Sequence, residues 1–166
     1  MKTVVILTRA GESARCYAVE QYMHRWIAAG HRVLVHAGTA EPPAGDIALM
    51  HVDLSVVPSE YAALASAYPK TLNGAALDIR RRRFSELQLR PGDPYHGPVI
   101  VKTDANFGGV PEHGTDSRGR TPVDWGSART LDPLRYPVFP SLARVPPEVF
   151  ENEALIVERF LDTRHG

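Results

Sequence analysis

The segment Gly97-Pro98-Val99-Ile100-Val101-Lys102-Thr103-Asp104-Ala105-Asn106-Phe107-Gly108-Gly109-Val110-Pro111-Glu112 joins a short apolar run to a turn-rich loop with paired glycines. Val99, Ile100 and Val101 are β-branched, and so brief a run between Gly97-Pro98 and Asn106 fits a buried strand better than a helix. Alternation along that strand sends Ile100, Lys102 and Asp104 to one face and Val99, Val101 and Thr103 to the other. A cation there is costly unless water or an anion lies on its face. Gly108 and Gly109 admit backbone angles and close approach that a side chain forbids, so their amides can wrap a phosphate. A lysine on a strand ahead of such a loop reads as a triphosphate clamp, or as a strand-end lysine whose head reaches water. The glycine pair alone is equally a turn between strands, and turn chemistry covers Asn106. The order excludes a P-loop, where the glycines precede the lysine and a helix follows.

The chain around this segment has the composition of a globular protein, with 43% hydrophobic and 23% charged residues among 166, enough for one domain or two small lobes. Nineteen basic and nineteen acidic side chains cancel, which argues against nucleic acid or an anionic membrane as partner. A single cysteine, Cys16, forms no internal disulfide and fits a reducing compartment. No apolar run approaches membrane-spanning length, so the expected location is cytoplasmic.

Ahead of the segment, strands are expected at Thr3–Leu7, Arg32–His36, Asp46–Val52 and Lys70–Asn73. Helices are expected from about Ala14 to Ala28, capped by Ser13 and stopped by Gly30, and from Pro58 or Ser59 to about Ala67. Strands alternating with helical patterns predict an α/β fold: a small doubly wound, Rossmann-like lobe with a parallel sheet over residues 1–75. Asp78 is positioned to cap a short helix bearing Arg80 to Arg83. Behind the segment, a polar stretch from about Glu112 to Asp132 is expected to be mobile, because it offers little apolar surface to bury. Tyr136–Phe139 reads as a returning strand and Pro146–Phe150 as one helical turn. The last strand runs from Ala154 to Phe160 and is expected to leave an unpaired sheet edge.

That last strand carries Ala154-Leu155-Ile156-Val157-Glu158-Arg159-Phe160-Leu161. A strand lysine with a glycine loop, followed at this distance by a strand glutamate, resembles the ATP-grasp superfamily. Its members include D-alanine–D-alanine ligase, glutathione synthetase and biotin carboxylase, and Val99–Glu112 is similar to a group of uncharacterised ATP-grasp proteins. The resemblance implies an ATP-binding protein related to carboxylate–amine ligases that work through an acyl phosphate. It implies that Lys102 contacts the α- and β-phosphates as a point charge and that Gly108 and Gly109 close over them. Glu158, Arg159, Phe160 and Leu161 would supply the adenine edge and its apolar wall, or be an ordinary core strand with an outer charged pair. Arg81 stands where the family usually has a phosphate-reaching lysine, and a guanidinium binds phosphate with different geometry.

In the family, the magnesium ligands follow the hinge strand, and here only Asp162 to Gly166 follow Leu161. Residues 76–166 are therefore expected to be an α+β lid subdomain truncated before the metal-binding half. Magnesium would be held outside this chain, a second polypeptide or a homo-oligomer would complete the fold, and the chain alone would not be a competent ligase. No catalytic residue and no metal ligand is assigned within it.

Other residues carry weaker signals. The run Arg80-Arg81-Arg82-Arg83 fans around a helix at about 100° per residue, so it cannot line one groove. His96 and His113 are loop residues beside the clamp, and the seven histidines form no metal pattern. Asp53 follows a strand end, where open α/β sheets bind ligands. The alternative function is a non-enzymatic α/β protein-interaction module. A dinucleotide enzyme is disfavoured, since Arg9-Ala10-Gly11-Glu12-Ser13 lacks the glycine fingerprint.

Overall fold

A computed structural model describes residues 1–12, 17–114 and 123–162 of the chain. It is mixed α/β and divides into two units, Met1–Asp78 and Ile79–Gly166.

The first unit holds β1 (Thr3–Thr8), α1 (Ala18–Ala28), β2 (Arg32–Ala37), β3 (Ile47–Met50), α2 (Ser59–Ser66) and β4 (Thr71–Leu72). The strands are all parallel, in the order β2-β1-β3-β4. β1 is central and buried from Val4 to Thr8, the continuous apolar run expected when helices cover both faces of a sheet. Alternation divides its side chains between two cores. Val5 and Leu7 join Ala48, Met50, Ala65 and Tyr68, while Ile6 joins Val19 and Leu49. Val19, Met23 and Trp26 recur at helical spacing, and that stripe docks α1 on its side of the sheet. α1 ends as its glycine predicts: Gly30 has φ +82°, its amide bonds the Ile27 carbonyl, and the His31 amide bonds that of Trp26. This is a Schellman closure. The expected cap Ser13 lies outside the described residues, and Tyr17 occupies the capping position of α1.

The second unit holds α3 (Arg81–Phe84), β5 (Gln88–Leu89), β6 (Val99–Thr103), α4 (Val110–His113), β7 (Val138–Phe139), α5 (Pro147–Glu151) and β8 (Leu155–Arg159). Its sheet is antiparallel, in the order β5-β8-β6-β7. Leu89, Val99, Val101, Leu155 and Val157 face a core completed by Ala128, Leu131, Leu142, Val145 and Val149.

Three expectations are corrected here. β8 leaves no bare edge, since it lies between β5 and β6. Its partner β5 is only two residues long, too short to register as a pattern. Asp78 does not cap α3: the capping position is Arg80. Asp78 instead bridges to Val56, and Asp104 serves the helix start, taking the Arg81 amide on its carbonyl and the Arg82 amide on Oδ1 at 2.7 Å. Finally, the described end of the polar stretch has much to bury. Ala128, Thr130 and Leu131 are each less than 10% exposed and belong to the floor of the unit.

Candidate functional site

Alternation on β6 puts Val99 and Val101 into the core and leaves Ile100 and Lys102 on the other face. The register pairs Ile100 with Glu158 and Lys102 with Ile156, so Lys102 and Glu158 are diagonal neighbours on that face. They meet: Lys102 Nζ donates to Glu158 Oε2 at 2.8 Å, with side-chain exposures of 23% and 4%. Burial pushes the Glu158 carboxyl up and is the largest single influence on it. Hydrogen bonds from Lys102 and Ser85, with the charges of Lys102 and Arg81, outweigh that, and the net shift is downward. Glu158 is therefore an anion locked to its own lysine. The lysine keeps an open side.

Arg81 joins them from α3. Its guanidinium lies 5.9 Å from the Tyr136 ring centroid, a cation–π distance, and its Nε is buried without a hydrogen-bond partner. Tyr136 is the group that sequence reasoning missed. Val138 pairs with Ile100 and the Val101 amide bonds the Pro137 carbonyl, so Tyr136 stands just before β7 joins β6. Pro137 has no amide to return, which ends the ladder there. The Tyr136 hydroxyl is likewise buried and unpartnered.

The remaining candidates are elsewhere. Gly108 and Gly109 are buried with φ of +68° and +72°. A Cβ on Gly108 would sit 2.1 Å from the Leu131 carbonyl oxygen, and one on Gly109 2.5 Å from that of Arg129. What approaches these glycines closely is the protein's own backbone at 129–131, tied on by the Leu131 amide bonding the Gly108 carbonyl. Phe107 also has positive φ, +44°, so three consecutive residues turn left-handed there.

Arg159 alternates away from Glu158 and stacks on Tyr95 at 5.4 Å. The Phe160 amide bonds the Pro98 carbonyl, and Leu161 is 60% exposed. Within the arginine run, Arg82 rather than Arg81 ties α3 to β8, through Nη2 to the carbonyls of Glu153 and Leu155 at 3.0 and 2.9 Å. Three cavities of this unit, of 550, 350 and 560 Å3, are walled by other residues. His96 lines the first and His113 the third.

Asp53 belongs to the first unit, just beyond β3. It accepts a hydrogen bond from the Tyr17 hydroxyl at 2.7 Å, and Tyr17 stands edge-on to His51 at 4.9 Å. The bond to Asp53, then burial, pushes the Tyr17 phenol up to about 12. Cys16 lies outside the described residues. Among the described residues, no group of three or more His, Cys, Asp or Glu is placed to hold a metal ion, and no helix is long and apolar enough to cross a membrane.

No protein-family model, no curated protein and no solved structure matches this chain. The chemistry of the site is therefore read from its own residues. Lys102 and Glu158 share a sheet face, Arg81 is brought near them from α3, and two unused donors accompany it, which makes a small, net positive, partly covered surface suited to an oxyanion.

Proposed function

We propose that the second unit is the nucleotide-binding portion of an ATP-grasp-like protein, and that the first unit is its Rossmann-like leading lobe. One observation carries the proposal: Lys102 and Glu158, picked out as separate motifs, meet at 2.8 Å on a single sheet face. Glu158 holds the ammonium in place, and the exposed side of Lys102 is turned to a phosphate. Arg81 adds the second charge from α3. Leu161, exposed beyond β8, offers apolar surface to a base.

The glycine pair enters differently from a wrapping loop. Its geometry is used up by the 129–131 backbone, so Gly108 and Gly109 shape the floor behind Lys102. Magnesium is not fitted here, because Glu158 is already engaged by Lys102 and the described residues gather no group of three or more His, Cys, Asp or Glu that could hold it. The proposal is one of binding, and it assigns no turnover to this chain.

Thermal unfolding of the purified chain with and without Mg-ADP tests it. A ligand that binds only the folded state raises the midpoint as its concentration passes Kd. A saturable rise, larger than that from equal ionic strength of chloride, is expected. No rise at millimolar nucleotide, together with concentration-dependent association, would favour the interaction module instead.

A further inference from the structure

We infer that the Tyr136 hydroxyl and Arg81 Nε are two donors for one bound phosphate-type oxyanion, which Lys102 engages from the adjoining strand. The inference rests on the binding proposal above for the place of the ligand, and adds a residue that proposal does not use.

Both donors are buried and neither has a partner. Such groups are few in folded proteins, because each one left unmade forfeits the hydrogen bond it had with water in the unfolded chain. Here two lie together, the guanidinium over the phenol ring at 5.9 Å. The link to Lys102 runs through Arg81, whose charge acts on Glu158, the carboxylate that Lys102 bonds. Glu158 does not serve them: its carboxylate accepts from Lys102 and Ser85, and neither of these two donors bonds it.

Charge narrows the missing acceptor. Lys102 and Arg81 against Glu158 leave one positive charge on a face of low exposure. A neutral acceptor would satisfy the donors and leave that charge uncompensated, whereas an anion satisfies both. Three donors of differing direction, an ammonium, a guanidinium edge and a phenol, suit a tetrahedral oxyanion better than a planar carboxylate. The fitting class is a phosphate or diphosphate, free or carried on a nucleoside.

The test measures Kd for sodium pyrophosphate and for Mg-ADP by titration calorimetry, with thermal midpoints, on the full chain and on Tyr136→Phe. Phenylalanine keeps the ring that packs against the core and deletes only the unpartnered hydroxyl. The ligand-free midpoint is expected to hold or rise, while Kd for both ligands weakens roughly tenfold, as for one lost hydrogen bond to a charged group. Arg81→Lys, which keeps the charge and loses Nε–H, is expected to weaken both similarly, and it stands in should the phenylalanine variant fold poorly. Unchanged Kd in both variants while the parent chain binds overturns this inference and leaves the nucleotide proposal standing. Weakened pyrophosphate binding with ADP bound no more tightly than pyrophosphate supports the donor pair and contradicts the nucleotide proposal. No binding of either ligand to the parent chain overturns both.

Discussion

β1 and β6 are each the central hydrophobic strand of their unit, and they solve burial in opposite ways. β1 has cores on both sides, so from Val4 to Thr8 every residue is buried. β6 has a core on one side only, and its burial alternates, with Val99, Val101 and Thr103 in and Ile100 and Lys102 half-covered. A two-sided strand has no place for a cation. A one-sided strand can carry one in its middle, provided a neighbour compensates it, and Glu158 on β8 does so. Chemistry in the parallel sheet is pushed to the strand ends, where Tyr17, His51 and Asp53 sit. In the antiparallel sheet it rests on the face itself.

The comparison breaks most readily at the ion pair. Lys102→Met leaves the buried Glu158 carboxylate without its partner and is expected to cost about 3 kcal/mol in urea unfolding, as for a buried pair with one member removed. Lys102→Met combined with Glu158→Leu should recover most of that loss, because an apolar pair suits the site once no charge remains. A single variant within about 0.5 kcal/mol of the parent would make this a surface-type pair. The acid limb of stability tests the same group. Glu158 has a folded-state value below its ordinary 4.5, so its contribution is complete above pH 4.5 and is lost as pH falls through the lower folded value. Glu158→Gln should remove that part of the acid loss.

The glycines sharpen the contrast between close approach and mere conformation. Gly108→Ala forces a Cβ onto the Leu131 carbonyl in a left-handed residue and is expected to cost upwards of about 2 kcal/mol. Gly30→Ala, also left-handed but with nothing within 4 Å of the new Cβ, should cost about 1 kcal/mol. Equal effects at the two positions would mean that the contact with the 129–131 backbone is soft.

Where interactions are local, the sequence was a good guide. The buried run of β1, the Gly30 stop and the alternation of β6 are each set within a few residues, and each is found where the pattern puts it. What was missed is non-local. The cap of α3 comes from Asp104, 22 positions from the amide it accepts. The burial of Ala128 and Leu131 depends on a floor that the polar residues around them do not advertise. Tyr136 becomes part of the site only through Arg81, 55 positions earlier in the chain, whose guanidinium lies over its ring. Lys102 and Glu158 were legible as types, but that they bond to each other follows from strand order and register, which no spacing along the chain determines.

The most direct test maps amide NMR shifts of the full chain as Mg-ADP is added. The account predicts shifts centred on Lys102, Glu158, Arg81 and Tyr136, saturating together with one Kd. Shifts centred instead on Arg9, His51 and Asp53 in the first unit, or none at millimolar nucleotide, would contradict it.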